Sequence, residues 1–288
     1  GLQGSLGLYS AEIQWLPTVY VMTNVCANML LIKFRQQFGI RLFAQIFLIG
    51  FVLTTGAHLF VNSFWSAIAV RAFSGIAAAA LSTVGLLYMI QAVPAKHRLK
   101  GLVAAISLPQ LAVPLARLFP SEAFEPDRWQ TMYLFELGLA LLCLAGVRLL
   151  ALPPVERMKA FEPMDFVSFP LFAGGMALLC AVLGMGRTLW WFEAPWIAPA
   201  LIAALVLIPV ALVIEHYRAN PLLNTRWLGS GDILRFALVA ILVRVVLSEQ
   251  SIGASGLLTV VGMGPDQLRG LYLVVLLATV AGGLVSAL

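Results

Sequence analysis

Charge is scarce in this sequence. Only 11% of its 288 residues are Asp, Glu, Lys or Arg, against 61% hydrophobic, and the mean hydropathy is +0.96. A soluble domain carries about 25% charged residues. This chain has too little polar surface to cover a globule in water, so its solvent must be largely lipid. Cysteine is equally sparse. Cys26, Cys143 and Cys180 each fall inside an apolar run, far apart, which excludes a disulfide framework and a cysteine-based metal spacing. His58, His97 and His216 lie in separate segments or gaps and form no metal constellation by spacing. There is no G-x-x-x-x-G-K-[ST] loop, nucleophile elbow or zinc-protease motif. An enzyme is therefore not expected, nor a cofactor or a metal. Long polar stretches are missing too. The longest gaps between apolar runs, 153–165 and 215–232, are too small for a nucleotide-binding domain. The first fourteen residues lack a charged region followed by an apolar stretch, so they do not read as a signal peptide.

Long hydrophobic runs are what the sequence has in quantity. A bilayer core needs about 20 apolar residues per helix. Nine segments are predicted to span: 15–32, 42–61, 64–92, 101–119, 130–152, 166–185, 195–214, 233–261 and 267–288. The expected class is all-α and polytopic. Pro109 and Pro114 predict a kink in the fourth segment. The net charge is +5. In a soluble protein that excess could indicate nucleic acid. Here the basic residues sit in short gaps and read as topology signals. Twelve fall in one set of alternate gaps: Lys33, Arg35, Arg41, Lys96, Arg98, Lys100, Arg148, Arg157, Lys159, Arg218, Arg226 and Arg235. Four fall in the other, Arg117, Arg128, Arg187 and Arg269, while Arg71 and Arg244 lie within spans. The larger set is assigned to the cytoplasm. This puts Gly1 outside, an expectation that calls for a span upstream of it.

Ionisable residues inside spans are costly and are functional candidates by default. Arg71, Glu136, Arg244 and Glu249 are the four. Arg71 lies seven residues into its span, about 10 Å along the helix at 1.5 Å per residue, and is expected to face a buried carboxylate or carbonyl. Gly75 and Ala79 follow in small-xxx-small spacing, which lets helices approach closely. Glu136 sits in the outer third of its span, as a rim residue or a cavity group. Arg244 and Glu249 are five apart, about 140° around a helix, so each should look to another helix or a wet cavity. Asn24 and Asn28 are four apart on one face of the first span and suit either helix packing or substrate contact. Trp190, Trp191 and Trp196 read as an interfacial belt.

The run from Arg71 through Gly75 to Ala79 resembles the R-x-x-x-G-x-x-x-A motif of the fourth helix of the major facilitator superfamily. More widely, the chain resembles that superfamily's fourteen-span drug:proton antiporter branch. Glu12-Ile13-Gln14-Trp15 followed by Tyr20, Arg128-Trp129, Met164-Asp165-Phe166, Gly186-Arg187 with Trp191-Phe192, and Asn220-Pro221-Leu222-Leu223 occur in the family's order and cover nearly the whole chain. The branch's loop motif, G-x-L-x-D-R-x-G-R-K, falls on Ile32 to Arg41. Gly39 and Arg41 match it, while Gln36 stands at the acidic position. The antiporter motif G-x-x-x-G-P falls on Pro109 to Pro114. Only Pro114 matches, with Pro109 and Val113 in place of the glycines.

The resemblance implies three regions: 1–152 as an N-terminal bundle without the family's first helix, 153–231 as two linking transmembrane helices, and 232–288 as the start of a C-terminal bundle. It implies a bacterial inner-membrane secondary transporter exporting small amphipathic or aromatic compounds against proton entry. Arg71 and Gly75 would serve coupling together with Arg244 and Glu249. Asn24, Asn28 and Glu136 would line the cavity, Gly39 and Arg41 would form the cytoplasmic loop, and Pro114 would supply the kink. The expected partners are a small-molecule substrate, protons and the bilayer, with no nucleic acid; a periplasmic adaptor is left open. The altered antiporter motif leaves room for a proton-coupled importer or a uniporter of the same fold, and a non-transporting receptor or scaffold is the reading from another class.

Overall fold

A computed structural model describes residues 4, 6–119, 130–149, 159–249 and 253–287. The expected Arg128-Trp129 pair, Arg157 and positions 150–152 lie outside the described residues. Among the described residues the secondary structure is helical, without strands. Eight helical stretches are long and apolar enough to cross a membrane. The chain is an all-α polytopic membrane protein.

The first helix, α1 (Ser10–Phe38), opens where the Glu12 carboxylate accepts a hydrogen bond from the Tyr9 N–H at 2.9 Å, the return arm of a capping box. It runs 29 residues, about 43 Å, well past a hydrocarbon core of about 30 Å. Gly39 alone separates α1 from α2 (Ile40–His58); its φ of +80° is a backbone region that favours glycine. Ser63 and Ser66 exchange hydrogen bonds at the start of α3 (Phe64–Ala92), where the Ser63 hydroxyl accepts from the Ser66 N–H at 3.3 Å.

The fourth segment, where the prolines led to the expectation of a kink, changes helix type along its length. α4 (Arg98–Ser107) passes through a 3-10 turn (Leu108–Leu111) into α5 (Ala112–Leu118). After α6 (Gln130–Leu149) come α7 (Asp165–Met185) and α8 (Ile197–His216). The chain continues through a short turn, α9 (Thr225–Leu228), to α10 (Gly231–Ser248), α11 (Ala254–Val260) and α12 (Arg269–Ala287).

Over the segment expected at 233–261, α10 ends at Ser248 and α11 opens at Ala254, and positions 250–252 between them lie outside the described residues. α10 also carries Asp232, Arg235 and Arg244 within 18 residues, which keeps it out of the set apolar enough to span. Nine spans were expected, and eight stretches qualify among the described residues.

The chain divides into two compact units. One comprises Gly1–Val84 and Pro126–Arg226, the other Gly85–Glu125 and Trp227–Leu288. In the first, α7 packs against both α8 and α1, and α2 packs against α6. Gly175 gives α8 room, since a Cβ there would press on Leu207 and Ile208. Gly184 lies on Thr18 of α1 in the same way. Ile202, Leu205, Val206 and Val213 project outward from α8, a surface that only hydrocarbon would solvate well. In the second unit, α12 packs on α4 and α5.

Candidate functional site

Arg71, Tyr133, His58 and Glu136 are brought together inside the first unit. Arg71 is half-buried on α3, and its Nη2 donates to the Tyr133 hydroxyl at 2.9 Å. Its Cζ also lies 5.9 Å from the centre of the Tyr133 ring, within cation–π range. The other neighbour of that ring is His58, stacked on it at 4.3 Å and 13°. His58 is the last residue of α2, and its Nδ1 bonds the Thr54 carbonyl at 2.9 Å. A cavity of about 310 Å³ opens beside these groups, lined by Tyr20, Phe51, His58, Arg71, Ser74 and Glu136 among others. It sits at the low end of the size range for small-molecule sites.

Arg71 was expected to hold a carboxylate or carbonyl. Among the described residues its hydrogen-bond partner is a phenol instead. Glu136 lines the same cavity and forms no hydrogen bond or ion pair among the described residues. The reason is geometric. Tyr133 and Glu136 are three apart on α6 and share a face, and the tyrosine reaches Arg71 first.

Asn24 and Asn28 take up packing positions. The Asn24 Nδ2 donates to the Gly75 carbonyl at 3.2 Å, tying α1 to α3, while the Asn28 Nδ2 bonds the Asn24 carbonyl on its own helix at 2.8 Å. Gly75 allows this approach: a Cβ there would overlap the Thr23 hydroxyl and the Tyr20 carbonyl. Neither asparagine lines the cavity. Pro114 is buried in α5, directly after the 3-10 turn. Gly39 provides the turn between α1 and α2, and Arg41 is exposed on the first turn of α2. Glu249 is the exposed C-cap of α10, and its carboxylate accepts from the Ala254 N–H at 2.8 Å. Arg244 is exposed on α10, with no hydrogen-bond or ion-pair partner among the described residues.

A second polar cluster lies at the far end of α1. The Lys33 ammonium is 2.9 Å from each Asp165 carboxylate oxygen and 2.9 Å from the Asn220 carbonyl, so all three of its protons are used. Arg218 forks across three acids: Asp165 at 2.6 Å, Glu162 at 3.0 Å and Glu215 at 2.7 Å. The other Glu215 oxygen caps the Leu222 and Leu223 N–H groups. The side chains of Lys33, Asp165 and Glu215 are 0–2% exposed. Desolvation alone would lower the Arg218 guanidinium, but hydrogen bonds to Asp165, Glu162 and Glu215 outweigh it and hold it above its ordinary value. Outside the spans, the hydrogen bond from Arg218 holds the Glu162 carboxyl below its ordinary range.

Sequence reasoning counted Lys33 and Arg218 only as topology signals. The missed hint was that Asp165 and Asn220 belong to the quoted Met164-Asp165-Phe166 and Asn220-Pro221-Leu222-Leu223 stretches. In the structure both stretches converge on Lys33. Residues from the same set of alternate gaps thus gather at a common end. At the opposite end, Trp15 stacks on Trp196 at 6.0 Å, and the Gln14 amide donates to the Gly184 carbonyl.

Among the described residues no group of three or more His, Cys, Asp and Glu side chains is placed to hold a metal ion. No family model and no curated protein matches this sequence.

Proposed function

We propose that the chain works in a secondary active transporter of the major facilitator type, in a bacterial inner membrane, moving small amphipathic or aromatic compounds outward against proton entry. The observation that carries this reading is Arg71. It is a permanent charge set among helices apolar enough to span a membrane, on the wall of a cavity shared with Glu136, a carboxylate with no hydrogen-bond or ion-pair partner among the described residues. Cations and carboxylates are expensive at that depth and are retained where a substrate or proton uses them. The motif resemblance that begins at Arg71 supports the same reading. With no nucleotide-binding loop in the sequence, an ion gradient is the energy source assigned to the cycle.

The test uses the gene product that contains these residues, in oriented vesicles under an imposed pH gradient. Cargo is chosen by screening a deletion strain against a panel of toxic amphipathic compounds. Arg71→Lys should fold but lose about tenfold or more in proton-driven flux, because an ammonium does not reproduce the guanidinium's simultaneous hydrogen bond and ring contact with Tyr133. Normal flux in Arg71→Ala would reduce Arg71 to a packing residue. Flux running inward would favour the importer reading. Protein binding without any flux would favour a receptor or scaffold.

A further inference from the structure

The cavity beside Arg71 contains a group whose role neither the motif resemblance nor the spacing assigns, the His58 imidazole. The residue is 5% exposed, and Nε2 is buried with no hydrogen-bond partner among the described residues. Its other nitrogen is committed. The Thr54 carbonyl only accepts, so Nδ1 must carry the proton of that 2.9 Å hydrogen bond. This leaves the Nε2 lone pair open on a ring that lines a cavity of about 310 Å³, room for several waters. An unpaired buried acceptor is costly, and an imidazole can take up a second proton on that nitrogen.

The geometry points to His58 Nε2 as the proton-accepting atom of this cavity, with Glu136 as the counter-charge that holds the resulting imidazolium. This rests on the transporter reading above and deepens it by naming the proton site. The step is a simple transfer: when the cavity opens to admit water to the buried Nε2, a hydronium ion gives its proton to the lone pair and becomes water, while the Nδ1–H···O=C bond to Thr54 is kept. Each element packed around the ring contributes its own group. Tyr20 comes from α1, Arg71 from α3, and Tyr133 and Glu136 from α6. Arg71 opposes a second positive charge, and Glu136 compensates it. Because the histidine is stacked on the same tyrosine that holds Arg71, charging the ring places two cations against one phenol. That repulsion is how proton uptake would loosen Arg71 from Tyr133.

The test is nitrogen-15 NMR on the reconstituted gene product in a His97→Gln/His216→Gln background, so that His58 is the one histidine of residues 1–288 to be read. Any histidine elsewhere in the gene product is assigned by comparison with a His58→Gln sample. At high pH the spectrum should show the tautomer with the proton on Nδ1 and a bare Nε2. On acidification Nε2 should gain a proton, and Glu136→Gln should move that transition to lower pH by a unit or more. A proton on Nε2 at high pH, no protonation down to pH 4, or an unmoved transition in Glu136→Gln would each overturn the proposal. Gradient-driven flux measured on the same samples separates the two claims. Flux without a titrating His58 keeps the transporter reading and discards this site; titration without flux keeps the site and discards the transporter reading.

Discussion

Asp165 is where removing a single charge should cost most. Its carboxylate is 1% exposed and receives both Lys33 at 2.9 Å and Arg218 at 2.6 Å, together with the Glu162 N–H at 2.8 Å. Asp165→Asn preserves the shape but strands the Lys33 ammonium, itself 2% exposed, against a neutral amide. Breaking a buried pair from one side costs roughly 3–5 kcal/mol, because the remaining charge stays desolvated. An exposed pair would cost about 0–1 kcal/mol. The appropriate readout is apparent thermal stability in detergent, following aggregation or size-exclusion retention, since unfolding of a multi-helix membrane protein need not be two-state. Asp165→Asn, Asp165→Leu and Lys33→Met should each lower the midpoint strongly. Lys33→Met/Asp165→Leu should recover much of the loss, because an apolar pair of similar volume can replace a buried ion pair at little cost. Arg218 would keep Glu215 and Glu162 in the double variant. The interaction energy from the cycle is therefore expected to be large and of compensating sign. An Asp165→Asn protein as stable as the parent would refute the buried-network account and, with it, the docking of α7 and α8 onto α1 through charge.

Three further outcomes are expected. Glu162 has a depressed pKa through Arg218, so its stabilising contribution is fully present above the unfolded carboxyl value of about 4.5 and is lost as pH falls through the lower folded value. The stability difference between the parent and Glu162→Gln should therefore shrink steadily on acidification below that value; a difference that grows would reverse the sign of the argument. Gly75→Val should disrupt the α1–α3 contact by about 1–3 kcal/mol of overpacking, since even a Cβ collides with the Tyr20 carbonyl and the Thr23 hydroxyl. It should show as a lower midpoint than Gly50→Val, where a Cβ has open space. On intact cells, a lone cysteine replacing Arg187 should react with a membrane-impermeant maleimide and one replacing His97 should not; the reverse pattern would invert the assigned topology.

The motif at Arg71 names one residue on the wall of the cavity, and its glycine, Gly75, has a visible packing purpose. Gly75 is where α1 approaches α3 closely enough for Asn24 to bond across. Arg71 reaches Tyr133, 62 positions away, a pairing that no local pattern could announce. His58 was set aside as a metal ligand on spacing. Its significance lies in an unfilled nitrogen beside a cavity, a property of the surroundings and not of the residue type.

Hydrophobic run length determined by itself that this chain is a polytopic helical membrane protein, because partitioning into lipid is a local property of about 20 consecutive residues. The prolines likewise pointed to a kink in the fourth segment, since a missing N–H and a ring clash act within one turn. Tertiary structure alone decided the rest. It made Glu249 an exposed cap of α10 whose carboxylate accepts from the Ala254 N–H. It buried Lys33 against Asp165, 132 positions away, and against the carbonyl of Asn220, 187 positions away. On paper, these were loop charges that happened to mark one side of the membrane. Charges at span ends are cheap in water and costly when desolvated. Which of the two applies depends on whether another helix arrives to cover them, and a linear pattern carries no information about that arrival.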